Sequence, residues 1–178
     1  METSLKSKVL TGMFWRFLER SAAQIVTFIV SIILARLLEP EDYGVVALTT
    51  IFITIANVFV TEGFGKALIQ KKEVDQVDYS SVFFFNCIFS IVLYLLIFIG
   101  SPSIGNYFGE PLLSSTLRVL GLRLPLASIN SIQHAYVSRN IMFKLFFKAT
   151  IIGTITSAIV GITMAYMGFG VWALVAQY

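Results

Sequence analysis

The stretch that decides the fold is AAQIVTFIVSIILARLLEPEDYGVVALTTIFITIANVFV, residues 22–60. Its centre, LARLLEPEDYG (34–44), holds an arginine, three acids and a proline, whereas the residues on both sides are mostly apolar. Arg36 suits the carboxyl end of one helix, because the helix dipole stabilises a cation there. Pro40 suits the first turn of the next helix, where proline gives up no needed donor and acids favour the exposed amides. We therefore interpret the polar centre as a connection between two apolar helices rather than as a catalytic cluster.

The composition indicates that lipid surrounds most of the chain. Of its 178 residues, 57% are hydrophobic and 13% are charged, and the mean hydropathy is +0.83. A soluble domain usually carries about a quarter charged residues, so too little polar surface remains here to cover a soluble core. The net charge of +3 is modest, and no cluster of basic and aromatic residues predicts nucleic-acid binding. The single cysteine, Cys87, excludes an intrachain disulfide.

Five segments have the roughly 20 mostly apolar residues that a transmembrane helix needs. They are about 13–35, 43–62, 79–100, 117–138 and 145–167. A partial helix is predicted from 169, so we expect the chain to be part of a longer protein, truncated in its sixth helix. Backbone groups in lipid must bond within their own segment, and the alternation typical of a membrane barrel is missing. The predicted fold class is therefore all-α, a polytopic membrane helical bundle with a single membrane domain over 1–178.

The positive charges orient these helices. Lysines and arginines concentrate at the N-terminus and in the second and fourth connections, at Lys6, Lys8, Arg16, Arg20, Lys66, Lys71, Lys72, Arg139, Lys144 and Lys148. The first and third connections hold Arg36 and Glu110 with the acids of LARLLEPEDYG. By the positive-inside rule, we predict a multi-pass protein with a cytoplasmic N-terminus.

Polar side chains form a stripe on three predicted helices when residues are placed at steps of about 100°. The stripes are Arg16, Arg20, Gln24, Thr27 and Ser31 on helix 1; Tyr43, Thr50, Thr54, Asn57 and Thr61 on helix 2; and Thr116, Arg123, Asn130, His134 and Ser138 on helix 4. Unpartnered polar groups are costly in lipid, so these faces are expected to look into the protein or into a wet cavity.

Two interpretations of these stripes stay open. Hydroxyl and amide groups often bond between membrane helices without lining anything, and Arg16 and Arg20 could extend to the headgroups or pair with Glu19. For helices 1 and 4 we favour a cavity, since an arginine such as Arg123 costs about 2.5–3.5 kcal/mol at mid-membrane and usually binds an anion or lines a path. The candidate substrate-binding residues are Arg16, Arg20, Gln24, Asn57, Arg123 and Asn130. His134, the only histidine, is either a packing residue or a proton-coupling site.

The sequence carries little catalytic chemistry. EGFGKAL (62–68) lacks the strand and the spacing of a phosphate loop, and no spacing predicts a metal site or an activated nucleophile. We predict no catalytic residue and no cofactor. The small residues Ala149, Gly153, Ser157, Gly161 and Ala165 recur every fourth position, which predicts close approach of helix 5 to a neighbour.

Several ordered segments are familiar. LARLLEPEDYGVVAL (34–48), EGFGKALIQKKEVD (62–75) and the stretch from SRNIMFKLFF to YMGFGVWALVAQ (138–177) resemble the polysaccharide-exporter branch of the multidrug/oligosaccharidyl-lipid/polysaccharide superfamily. The likeness spans almost the whole chain.

This resemblance implies a bacterial inner-membrane flippase for undecaprenyl-diphosphate-linked oligosaccharides. It implies two pseudo-symmetric helical lobes around a central cavity, of which this chain would be the N-terminal lobe, with a C-terminal lobe as partner. Related flippases use arginines of the first helix, and Arg16 and Arg20 match them by location alone. Two alternatives are a drug or cation antiporter of the same superfamily, which would favour embedded acids, and a membrane glycan polymerase or ligase, which would need a large external loop.

Overall fold

The structure, a computed structural model, describes residues 2–61, 75–139 and 143–178, without the side chains of residues 2–10, 76, 139 and 143. The described residues are almost entirely helical and contain no strand. Their helices are α1 (Glu2–Leu37), α2 (Pro40–Thr61), α3 (Gln76–Phe108), α4 (Pro111–Gly121), α5 (Arg123–Arg139), α6 (Phe143–Tyr166) and α7 (Val171–Gln177). EGFGKAL, the cations of the second connection and the last residue of predicted helix 2 lie outside the described residues.

Five helical segments within the described residues are long and apolar enough to cross a membrane. They are Thr11–Leu37, Pro40–Thr61, Val77–Phe108, Pro111–Ser138 and Lys144–Tyr166. Each overlaps one of the segments predicted from the sequence. The predicted all-α, polytopic membrane fold is confirmed.

Helix α3 continues past residue 100, where the sequence predicted its end, and passes through Pro102 to Phe108. Proline has no N–H to donate to the carbonyl four residues earlier, that of Phe98. The hydroxyl of Ser101 donates to this carbonyl instead, at 2.9 Å. The helix ends at Gly109, whose φ of 70° suits glycine, and the backbone N–H groups of residues 109 and 110 close the last turn.

The predicted fourth helix is divided in two. It begins at Pro111, earlier than the predicted residue 117, and is interrupted at Leu122 between α4 and α5. Pro125, in the first turn of α5, cannot bond to the carbonyl of Gly121 and would clash with it in a continuous helix. Members of the predicted stripe on the two sides of Leu122 differ in burial: Thr116 is buried, whereas Arg123 is exposed.

The predicted partial helix from 169 is α7, which begins at Val171. Gly168 precedes it with a φ of 77°, and the N–H groups of Gly168 and Phe169 donate to the carbonyls of Ala165 and Met164 at 3.1 Å. These bonds end α6 and reverse the chain before α7 begins.

The chain forms two compact units, Met1–Pro40 with Val137–Tyr178, and Glu41–Tyr136. In the first unit α6 packs against both α1 and α7. A Cβ on Gly161 would lie 3.3 Å from the carbonyl oxygen of Ala173, so this glycine permits the close approach of α7. A Cβ on Gly153 would meet none of the described atoms within 4 Å. Of the two glycines in the small-residue series, only Gly161 therefore permits a close contact with another described helix.

In the second unit α3 packs against α4, and α2, α3 and α5 share an apolar core. The core consists of Ala56, Val60 and Leu124 with Phe89, Leu93 and Ile97 packed against them. Thr49 of α2 and Thr116 of α4 are both fully buried, and their hydroxyls lie 2.8 Å apart. For these two threonines, the interpretation in which hydroxyl groups bond between membrane helices therefore applies.

Candidate functional site

A shallow depression of about 740 Å³, wide open to solvent and here called the α1 groove, lies between side chains on one face of α1. Its lining residues are Met13, Arg16, Phe17, Arg20, Ser21, Gln24 and Ile25. Arg16, Arg20 and Gln24 follow one another at intervals of four residues, which places them above one another on a helix. The structure therefore brings three of the predicted substrate-binding residues to one groove, between apolar side chains.

Arg16 is held in place by the packing of the first unit. Its side chain is 30% exposed, and its Nη1 lies 3.8 Å from Oε2 of Glu19. Its guanidinium carbon lies 5.5 Å from the centroid of the Phe146 ring on α6. Glu19, whose side chain is 13% exposed, accepts a hydrogen bond from Thr150 of α6 at 2.9 Å. The carboxylate thus joins α1 to α6 and fixes the turn that carries Arg16.

Arg20 differs from Arg16 in its surroundings. Its side chain is exposed, and it makes no hydrogen bond or ion pair with the described residues. Gln24, one turn further along the groove, is also exposed. Arg20 therefore presents its whole guanidinium group to whatever occupies the groove.

Aromatic rings and further cations lie near this end of the first unit. Trp15 packs edge-on against Phe147, with ring centroids 5.2 Å apart, and Lys144 Nζ lies 5.6 Å from the Trp15 ring. Lys148, one turn after Lys144 on α6, is exposed. Amphipathic rings and cations of this kind are typical of helix ends at a membrane interface, where they meet phosphate groups.

A second polar surface lies on α2. Tyr43, Thr50 and Asn57 are spaced seven residues apart and so share one side of the helix. The Tyr43 hydroxyl, the Thr50 hydroxyl and Oδ1 of Asn57 are all buried, and none has a hydrogen-bond partner among the described residues. Buried polar atoms without partners are rare and cost free energy, so a water molecule or ligand group bonded to this row would lower the free energy of the folded state.

The remaining candidates lie on α5. Arg123, Asn130 and His134 share one face of this helix, since they are seven and four residues apart. Arg123 and Asn130 are exposed and make no hydrogen bond or ion pair with the described residues, whereas His134 is half-buried and has a partner. The structure keeps these three residues together but separates them from Thr116. Their roles in substrate binding and proton coupling stay predictions.

Two polar side chains of the second unit escaped the sequence analysis. Asn86 of α3 is fully buried, and neither its amide oxygen nor its amide nitrogen has a partner among the described residues. Arg118 of α4 is half-buried against α3. The sequence signal for both is a strongly polar residue inside an apolar run. No group of three or more His, Cys, Asp or Glu residues that could hold a metal occurs within the described ranges.

A family model matches most of this chain. Residues 33–178 match the family described as "Polysaccharide biosynthesis protein". The chain belongs to this family of membrane proteins, and the match confirms the resemblance to the polysaccharide-exporter branch.

Individual relatives agree with this assignment. The chain is 25% identical over 178 residues to the succinoglycan biosynthesis transport protein ExoT of Rhizobium meliloti, covering 99% of this chain and 36% of that protein. It is 23% identical to the lipopolysaccharide biosynthesis protein WzxC of Escherichia coli, over 67% of this chain and 24% of the relative. It is 21% identical to the teichuronic acid biosynthesis protein TuaB of Bacillus subtilis, over 86% of this chain and 32% of that protein. The chain thus spans about a third or less of each relative's length, and no solved structure matches it.

Proposed function

We propose that this chain is part of a bacterial inner-membrane transporter that flips undecaprenyl-diphosphate-linked oligosaccharides for cell-surface polysaccharide synthesis. The observation that carries the proposal is the α1 groove, with two arginines and a glutamine between apolar side chains. The name of ExoT associates that relative with the transport of succinoglycan, and the name of TuaB associates that relative with the biosynthesis of teichuronic acid. Both compounds are polysaccharides. In this proposal the N-terminus is cytoplasmic, and a second lobe completes the transporter.

The groove has the chemistry that a lipid diphosphate requires. A diphosphate loses its hydration when it crosses lipid, and the guanidinium fork of arginine replaces that water with paired, charge-assisted hydrogen bonds. The apolar lining residues Met13, Phe17 and Ile25 accept the first isoprene units of the lipid. Rocking of one lobe against the other would then change the side of the membrane to which the site opens.

The polar faces of the second unit, taken by themselves, carry groups that can bond to sugar hydroxyls. Asn57, whose Oδ1 is buried without a described partner, can accept a hydrogen bond from a sugar hydroxyl. Arg123 and Asn130 are exposed donors on α5. His134 is proposed as a proton-coupling residue, since the charge of a histidine changes near neutral pH.

A cation antiporter fits the described residues less well. Glu19 is the one acid that lies well inside a described span. Its Oε1 accepts the hydrogen bond from Thr150, and its Oε2, which has no hydrogen-bond partner among the described residues, forms the ion pair with Arg16. An embedded acid whose charge is already balanced by an arginine offers little to a cationic drug, whereas Arg20, which has no ion pair with the described residues, can bind an anion. The charge distribution therefore favours an anionic substrate.

A glycan polymerase or ligase is also less well supported. The stretch SPSIGNYFGEPLLSST (101–116) lies between the predicted spans 79–100 and 117–138, but nearly all of it belongs to α3 and α4. Only Gly109 and Glu110 lie between the two helices. A two-residue connection cannot hold the acid and base groups of such an enzyme, so we propose a transporter that is not an enzyme.

The test is the fate of the lipid-linked glycan in the host bacterium when the whole gene is deleted. We expect the glycan to accumulate on the cytoplasmic leaflet, as measured by its protection from an external glycan-modifying enzyme in intact spheroplasts. Restoring the gene should release it to the outer leaflet. Normal export in the deletion strain, combined with new sensitivity to cationic drugs, would contradict the flippase and favour the antiporter.

A further inference from the structure

Arg118 of α4 is held in a fixed position by α3. Its Nε donates a hydrogen bond to the Ser101 hydroxyl oxygen at 2.9 Å, and its guanidinium carbon lies 4.7 Å from the centroid of the Phe98 ring. Ser101 is fully buried, and its own proton goes to the Phe98 carbonyl that Pro102 leaves without a donor. The proline thus orients the serine, and the serine orients the arginine.

The charge of Arg118 is not neutralised by the described residues. Apart from Nε, its guanidinium group makes no hydrogen bond or ion pair with them. Glu110, the acid nearest along α4, lies two turns away and forms no ion pair with it within that part of the chain. The terminal nitrogens therefore present a fork of N–H donors, and a half-buried cation without a counter-ion is unfavourable. An anion bound to the terminal nitrogens would neutralise this charge.

The depth of Arg118 indicates which anion is available. Helix α3 has 33 residues and is therefore roughly 50 Å long, whereas the hydrocarbon core of a bilayer is roughly 30 Å thick. Its apolar run ends near Ile99, which is 74% exposed, and the more polar SPSIGNYF (101–108) follows. Leu122, one turn after Arg118 and directly after the end of α4, is 50% exposed. Arg118, which contacts Phe98 and Ser101, therefore lies beside the point on α3 where the apolar run gives way to a more polar stretch, a change typical of the membrane interface.

We propose that Arg118 binds the phosphate of a lipid headgroup at the membrane interface. The shared chemistry is a phosphate oxygen pair facing the guanidinium fork, with the lipid chains along the exposed apolar side chains around Ile99 and Leu122. A bilayer phospholipid and a lipid-linked diphosphate both supply this group. The site is distinct from the α1 groove and does not depend on the proposed transport function.

The test measures binding of two probes to the whole protein purified in a neutral detergent. One probe is a short-chain phosphatidylglycerol and the other a short-chain prenyl diphosphate, each compared with its phosphate-free analogue. Arg118→Gln should weaken binding of at least one probe about tenfold or more, because a hydrogen bond to a charged group is lost. Arg118→Lys should have a smaller effect, since an ammonium group keeps the charge but not the fork. Arg36→Gln, at the exposed end of α1, is the matched control and should bind both probes as the wild type does.

The two probes separate the two sources of phosphate. Loss of affinity for both probes means that any lipid phosphate occupies the site, and loss for the prenyl diphosphate alone assigns the site to a lipid-linked substrate. Ser101→Ala removes the acceptor of Nε while keeping the charge, so it should weaken binding about threefold if fork orientation matters. If Arg118→Gln folds poorly, Arg118→Lys and Ser101→Ala still decide the result. Wild-type affinity in both of these variants would overturn the proposal and leave Arg118 as a brace between α3 and α4.

Discussion

The polar face of α1 and the polar face of α2 follow the same helical spacing in the sequence, but they differ in charge and, in the structure, in burial. On α1, cations line an open groove, and Arg20 is exposed and unpaired among the described residues. On α2, the polar atoms of Tyr43, Thr50 and Asn57 are neutral and buried, and they lack described partners. Water stabilises an exposed cation, so the absence of an anion costs little free energy. A buried neutral polar group has lost its hydration, so it raises the free energy of the folded state unless a partner bonds to it. The first face is suited to capturing charge, and the second to bonding hydroxyl groups or water.

The largest effect is expected from removing the charges of the α1 groove. Arg16→Gln with Arg20→Gln should lower export of the lipid-linked glycan about 100-fold, because each charge-assisted hydrogen bond contributes roughly 1.5–3 kcal/mol. Export is measured in the host strain at equal protein level. Lys148→Gln, an exposed cation of α6 outside the groove lining, is the control and should export normally. Full export by the double variant would mean that the groove does not bind the substrate and that the charged face of α1 has no special role compared with the face of α2.

A smaller effect, and a gain rather than a loss, is expected for the stability of the protein when Asn86 is replaced. Asn86→Leu removes a fully buried amide without described partners, so the free energy of unfolding should rise by about 1–3 kcal/mol, the usual cost of an unsatisfied polar group. Thermal denaturation in detergent measures this change. A lower melting temperature would mean that the amide is bonded to water or to a bound molecule in the folded protein.

The smallest effect is expected from two neighbouring threonines of α2. Thr49→Val removes the bond to Thr116 and leaves that hydroxyl without its partner on α2, so it should destabilise the protein by about 1 kcal/mol. Thr50→Val removes a buried hydroxyl that has no described partner, so stability should stay the same or rise. Comparison of the two melting temperatures tests directly whether a partner is present. Equal losses would show that Thr50 is also satisfied and would weaken the case for a wet surface on α2.

The sequence predicted the membrane fold correctly because the relevant signals are local. Arg36 and Pro40 mark the end of one helix and the start of the next by chemistry that acts within a single turn. It missed the continuation through Pro102 and the interruption at Leu122, although both depend on prolines. One proline is compensated by a serine hydroxyl and the other is not, and no rule of spacing distinguishes these two cases.

The candidate site was predicted in part for the same reason. Arg16, Arg20 and Gln24 lie on an uninterrupted stretch of helix, so their common face follows from the helical period. Thr116 was assigned to a face with Arg123, but Thr116 is buried against Thr49 of α2 whereas Arg123 is exposed. Asn86 and Arg118 are single polar residues in apolar surroundings, and only their burial and contacts distinguish them from residues that face solvent.

The sequence by itself determined the membrane class, the presence of five spans and the first connection, because transfer of apolar side chains into lipid and capping of helix ends depend on neighbouring residues. The tertiary structure alone decided which polar atoms are satisfied. Thr49 and Thr50 are adjacent and chemically identical, yet one has a partner 67 residues away and the other has none among the described residues. Hydrogen-bond partners on other helices are set by packing, and packing brings together residues that are distant in the chain.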